Sequence, residues 1–245
     1  MLTESASSML LNRVLSLLEP AVLDSLGEVS ELRHTEAHFA LSEPGEPVRF
    51  LCFPLTAVAS TVACMHNGDV IEAVTVGNEG VTGISAILGG TTGTLRSFIQ
   101  VPGEVCLVPT DAFMDVVQVR PEVLRFVMRY ANVLINVISQ SAACNRLHNV
   151  VQRCARWLLT TAERAGSDEF QLIQELLAEM VGSRRPTVSD AAATLQKAGI
   201  IQYKRGDVKI LNRSGLETIS CECYRAISNA YEQLYAPPSP SGALP

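Results

Sequence analysis

Residues 174–201 read Gln174-Glu-Leu-Leu-Ala-Glu-Met-Val-Gly-Ser-Arg-Arg-Pro-Thr-Val-Ser-Asp-Ala-Ala-Ala-Thr-Leu-Gln-Lys-Ala-Gly-Ile-Ile201, and this stretch decides the fold. Leu176, Leu177 and Met180 give a first short helix one buried stripe at helical spacing. Gly182 then supplies a backbone able to turn sharply without a Cβ penalty. A second helix opens on Arg184-Arg185 and takes Pro186 in its first turn, where the missing N–H costs little. Val188, Ala192 and Leu195 form its inward stripe. Arg185, Ser189, Asp190 and Thr194 are left on the outward face, whose size and polarity suit a DNA major groove. Beyond it, Ile200–Tyr203 and Val208–Leu211 read as two strands joined by a basic tip, Lys204-Arg-Gly-Asp207. The pattern predicts a winged helix-turn-helix. A plain helical hairpin would share the stripes, but not the double Arg and the basic wing tip together.

Charge is distributed in the same sense. The 245 residues carry a formal net charge of −6. Residues 146–213 nevertheless hold eleven Lys/Arg against seven Asp/Glu, while the remainder holds eight against eighteen. A locally basic module on an acidic body fits phosphate binding by one part of the chain. Glu4, Asn12, Arg13 and Glu19 interrupt the apolar residues of the first twenty, so no signal peptide or membrane span is expected. The expected location is the cytoplasm.

Seven cysteines, at 52, 64, 106, 144, 154, 221 and 223, show no CxxC spacing and are expected to be small buried hydrophobes. On a continuous helix Cys221 and Cys223 would point about 200° apart, so no metal site is expected. Four unpaired histidines give no haem signal, and no nucleotide-binding, metalloprotease or hydrolase motif occurs, so no enzyme is expected.

Upstream, Asn12–Leu26 fits one or two short helices around Pro20. Short β-branched runs follow at Val48–Phe53, Val58–Met65, Val70–Val76, Phe98–Val101 and Val105–Val108, separated by turn residues, and predict a small barrel or roll. Pro121 opens a long helix to at least Leu147. Val123, Val127, Tyr130, Leu134, Val137, Ser141, Cys144 and His148 make a heptad seam along it. Leu124, Met128, Ala131, Ile135, Ile138 and Ala142 make a second stripe beside it. Two stripes need two partners, the chain's own β-rich part and a second copy of the chain. Val127, Tyr130, Leu134, Val137 and Ser141 are the expected dimer contacts. Val150–Arg164 and Leu216–Tyr235 read as further helices. The expected divisions are 1–120 (roll), 121–148 (dimerisation helix), 149–235 (winged helix-turn-helix) and 236–245 (a disordered tail).

In this order the elements resemble the bacterial cyclic-AMP receptor protein / fumarate-nitrate regulator (Crp/Fnr) family of transcription factors. The resemblance is strongest in Arg153-Cys-Ala-Arg-Trp-Leu-Leu159, in residues 174–201 and in the wing. It implies an α+β chain with an N-terminal β-roll of the cyclic-nucleotide-binding, jelly-roll type, a long dimerisation helix and a C-terminal winged helix-turn-helix. It also implies a homodimeric regulator that binds double-stranded DNA and meets RNA polymerase. The DNA-binding residues it points to are Arg184, Arg185, Thr187, Ser189, Asp190, Lys204 and Arg205. Of the family's base-reading positions only Arg185 keeps the usual side chain, since Pro186 and Asp190 replace Glu and Arg. The operator is therefore expected to differ from the family's familiar ones. Asp190, a negative charge on that face, leaves open a non-DNA-binding interaction protein that has kept the scaffold. For the roll, the nearest match to a cyclic-nucleotide site is Glu79-Gly80 with Arg96-Ser97-Phe98, making Glu79, Arg96 and Ser97 the candidate ligand residues. The interval is long and Phe98 stands where a small residue is usual, so no cofactor is expected and neither cyclic AMP nor cyclic GMP is expected to bind with micromolar affinity; a true cyclic-nucleotide-responsive regulator is the alternative.

Overall fold

The computed structural model describes residues 3–90 and 92–236. The expected tail lies outside the described residues apart from Ala236. Helices α1 (Glu4–Met9) and α2 (Pro20–Val29) precede seven strands: β1 (Glu31–Thr35), β2 (Ala40–Ser42), β3 (Phe50–Pro54), β4 (Val58–Cys64), β5 (Val70–Val76), β6 (Arg96–Val101) and β7 (Gly103–Pro109). A short helix α3 (Ile84–Ile87) lies between β5 and β6. The strands form two antiparallel sheets, ordered β1-β7-β3 and β2-β6-β4-β5. Cys52, Ala57, Ala59, Ile99, Val105 and Leu107 form one buried cluster within this roll. The β-branched runs of the sequence mark β3 to β7 but not β1 and β2. Glu31-Leu-Arg-His-Thr35 leaves four of its five residues exposed, so the alternation that marks a half-buried strand is missing.

Helix α4 (Thr110–Val119), which is not among the elements expected from sequence, leads into α5 (Pro121–Leu147). Here the structure corrects the dimer assignment. Val127, Tyr130, Leu134, Val137 and Ser141 are all buried within the chain itself. Tyr130 fixes that orientation: its hydroxyl accepts from Val81 N at 3.0 Å and donates to Val81 O at 3.1 Å. The second stripe is the free one, with Met128 60% and Ile135 63% exposed and Leu124 and Ile138 near 40%.

Next come α6 (Val150–Ala165), β8 (Glu169–Gln171), α7 (Gln174–Met180), α8 (Arg185–Lys197), β9 (Ile201–Lys204) and β10 (Asp207–Ile210), then α9 (Arg213–Ile219) and α10 (Cys223–Tyr235). Asn149 and Gln152 close a capping box at the start of α6. A third wing strand, β8, pairs with β10 and adds to the two expected from sequence. The single C-terminal helix expected over Leu216–Tyr235 is two. Ser220 is extended at φ −62°, ψ 157°, which ends α9 before α10 begins. That break also overturns the opposed geometry expected of Cys221 and Cys223.

Helix α6 is packed from two sides. Trp157, Leu158 and Phe170 share a core with the helix-turn-helix and with Val62 and Phe98 of the roll. Trp157 Nε1 donates to Glu72 Oε2 at 2.8 Å, and Gln100 Nε2 donates to Thr161 Oγ1 at 3.2 Å. Glu72 also accepts from Ser60 at 2.7 Å and Thr75 at 2.9 Å. Burial raises its carboxyl above the ordinary value, partly offset by the Ser60 and Thr75 bonds and the charge of Arg156.

Candidate nucleic-acid interface

Leu176, Leu177 and Met180 of α7 lie in one buried cluster with Val188, Ala191 and Leu195 of α8. Gly182 sits at φ +61° in the turn between them. A Cβ there would come within 2.6 Å of Ile71 in β5, so glycine serves both the left-handed backbone and the close approach to the roll. Arg153 of α6 reaches the same turn, donating from Nη1 to Val181 O at 2.7 Å. Its guanidinium thereby caps the C-terminal end of α7. The sequence motif contains Arg153 but does not reveal this role, because its partners are carbonyls.

Helix α8 presents Arg184 as N-cap, without a side-chain capping bond, and Pro186 in its first turn. Arg184, Arg185, Pro186, Thr187, Asp190 and Thr194 are exposed, and Ser189 is half-buried. The positive end of the helix dipole and two guanidinium groups thus share one accessible helix end, which attracts phosphate. Two groups are engaged by α7: Arg185 Nη1 lies 3.0 Å from Glu175 Oε1, and Ser189 Oγ donates to Gln174 Oε1 at 2.7 Å.

The wing strands β9 and β10 pair from Ile201↔Ile210 to Lys204↔Asp207. Arg205 and Gly206 form the two-residue turn at φ +55° and φ +89°, the left-handed pair that suits a tight hairpin. Lys204 and Arg205 are exposed at its tip. Tyr203 N donates to Gln196 Oε1 at 3.0 Å and Tyr203 Oη donates to Leu172 O at 2.7 Å, so the wing is tied to α8 and to the segment before α7.

The three candidate ligand residues do not converge. Glu79 is buried against α6, 2.6 Å from Arg164 Nε, and accepts from Gly77 N. Arg96 pairs with Glu43 at 3.0 Å on a partly exposed surface. Ser97 alone lines the roll's cleft, a space of about 210 Å³. Phe98, on the next strand position, faces the opposite side and packs in the core shared with α6, so it does not crowd the cleft as expected. Thr61, Thr82 and Ser85 supply further hydroxyls, Val74 and Ile84 apolar walls, and Leu134 and Ile138 of α5 one side. No charged residue lines the cleft among the described residues. Sequence reading misses Thr61 and Thr82 because scattered hydroxyls carry no spacing signal.

No described helix is long and apolar enough to cross a membrane. Residues 152–219 match the model of the Crp-like helix-turn-helix domain. Comparison with curated proteins finds no match. Among solved structures, FixK2 from Bradyrhizobium japonicum is similar at TM-score 0.68 and 16% identity, over 79% of this chain and 98% of that one. A CRP-family transcriptional regulator from Thermus thermophilus is similar at TM-score 0.65 and 20% identity, over 77% and 96%. The c-di-GMP responsive global regulator CLP of Xanthomonas campestris is similar at TM-score 0.64 and 14% identity, over 78% and 99%. Residues 152–219 thus carry a Crp-like helix-turn-helix, the chain shares the fold of the Crp/Fnr regulators, and together these support a DNA-binding transcription regulator.

Proposed function

We propose that the protein acts as a homodimer that reads a two-fold symmetric DNA site. Residues 1–120 serve as the effector-responsive roll, 121–148 as the dimerisation helix and 149–235 as the DNA-binding unit. The observation that carries this reading is the accessible start of α8, where Arg184, Arg185 and Thr187 are exposed beside a basic wing tip. Arg185 meets guanine O6 and N7 with two hydrogen bonds, Ser189 and Asp190 border the same bases, and Lys204 and Arg205 touch phosphate. Asp190 is suited to accept from cytosine N4. The exposed stripe Leu124, Met128, Ala131, Ile135, Ile138 and Ala142 repeats at heptad spacing, which supports a second copy packing along α5. The cytoplasm and an encounter with RNA polymerase belong to this reading.

The effector is a small molecule without a strong negative charge. A cyclic phosphate needs a cation, and the hydroxyl-lined cleft offers none among the described residues. The response to c-di-GMP stated for CLP therefore does not carry over to this cleft. Calorimetry is expected to show no micromolar binding of cyclic AMP or cyclic GMP; tight binding abolished in Arg96→Ala would overturn this part. Selection from randomised duplexes tests the main reading. The expected product is a palindrome with half-sites about one helical turn apart. Recovery of no enriched sequence would count against it.

A further inference from the structure

We propose that Cys144, His148, Cys221 and Cys223 form a mononuclear zinc-type metal site that joins the end of α5 to the start of α10. One ligand atom from each of these four residues lies within 4.8 Å of the other three. Cys144 and Cys221 Sγ are 3.5 Å apart, and Cys223 Sγ lies 3.6 Å from His148 Nδ1. Tetrahedral zinc with Zn–S bonds of about 2.3 Å places its ligand atoms about 3.8 Å from one another. The spacing therefore suits one ion, whereas an iron–sulfur cluster interposes several irons and sulfides and needs a wider frame.

The surroundings suit a metal better than three packed thiols. His148 turns Nδ1 to the sulfurs while Nε2 lies 3.2 Å from Glu222 Oε2. A carboxylate behind the imidazole fixes the tautomer that leaves Nδ1 free to ligate. Gln140 Nε2 donates to Cys223 Sγ at 3.0 Å, the bond a thiolate accepts. Three thiolates and a divalent cation leave one negative charge. Arg156, buried and acting on Cys144, supplies the opposite one, and its Nε has no hydrogen-bond partner among the described residues. Uptake of the ion releases the thiol protons to solvent. Because Cys144 and His148 lie one turn apart at the end of α5, while Cys221 sits in the α9–α10 break and Cys223 opens α10, the ion clamps the C-terminal helix to the long helix. The site is independent of the assignment of DNA-reading residues.

The test uses the full chain, purified anaerobically with a thiol-free reductant, stripped by a chelator and titrated with Co²⁺ and then Zn²⁺. The expected result is one Co²⁺ per chain, with thiolate-to-cobalt charge transfer and tetrahedral ligand-field absorption that Zn²⁺ abolishes. Cys64→Ser, at an exposed cysteine elsewhere, should bind as wild type. Glu222→Gln alters a side chain 79% exposed, so it leaves folding intact, and it should weaken Co²⁺ binding about tenfold or more. Absence of thiolate–cobalt absorption in the reduced wild type would overturn the proposal. So would its persistence in the Cys144→Ser/Cys221→Ser double variant, or a Cys144–Cys221 disulfide whose reduction restores no metal uptake.

Discussion

In the proposed reading Arg185 and Lys204 both bring positive charge to DNA, with different tasks. Arg185 projects from the first turn of α8 with a planar fork that matches one base, so Arg185→Ala should cost about 1–3 kcal/mol and relax preference at one base pair per half-site. Lys204, exposed at the wing tip, is proposed to meet phosphate only. Lys204→Ala should weaken all sequences alike and make the salt dependence shallower by about one unit for each phosphate no longer neutralised. Anisotropy titrations at several salt concentrations separate the two, and equal uniform losses would sink the assignment. Glu72 carries a different prediction. Its raised carboxyl pKa, caused by burial, means that the packed state prefers the protonated acid. The corresponding stabilisation is complete below the ordinary carboxylate range and is lost as pH rises through the raised value. Glu72→Gln, uncharged at every pH, should flatten that decline in unfolding free energy. The single tryptophan, Trp157, bonds directly to Glu72 and reports the transition by fluorescence. An unchanged pH slope in the variant would contradict the role given to Glu72. Arg185 is legible in sequence because helical period places it without reference to other segments. The true role of Glu79 is not, since its buried partner Arg164 lies 85 residues away.

At the scale of elements, α5 shows what periodicity determines and what it leaves open. Two parallel apolar stripes are readable, but the choice between them depends on packing: Tyr130 locks its own stripe onto Val81, and the other faces out. Ile135→Asp should therefore produce a folded monomer at micromolar concentration, seen by sedimentation with an unchanged circular dichroism spectrum. Leu134→Asp should instead bury an unpaired charge in the chain's own core and lower stability by several kcal/mol. A dimeric Ile135→Asp protein would move the interface elsewhere. The helix-turn-helix and wing are legible because Gly182, Pro186 and the Arg205-Gly206 turn are local signals. The α9–α10 break has no glycine or proline to announce it. The convergence of Cys221 and Cys223 on Cys144 depends on that break and is hidden with it.

At the scale of the whole molecule, three surfaces meet along one path. Leu134 and Ile138 of α5 line the roll's cleft, and Ile138 also belongs to the exposed heptad stripe. Behind the same roll, Glu72, Gln100 and Glu79 hold α6, whose Arg153 caps the helix-turn-helix turn. In the proposed reading, a ligand that shifts the cleft wall would act on the exposed α5 stripe directly and on the helix-turn-helix through packed side chains. Acidic body and basic reading unit divide the charge accordingly, so non-specific attraction should be weak and preference should rest on α8. The central claim is that two copies of this chain recognise one sequence. Sedimentation of the full chain with a selected duplex, and with a scrambled duplex of equal length at the same salt, tests it most directly. Two chains per selected duplex, bound about a thousandfold or more tighter than the scrambled one, is the predicted result. Equal affinity for both duplexes, or one chain per duplex at saturation, would contradict it.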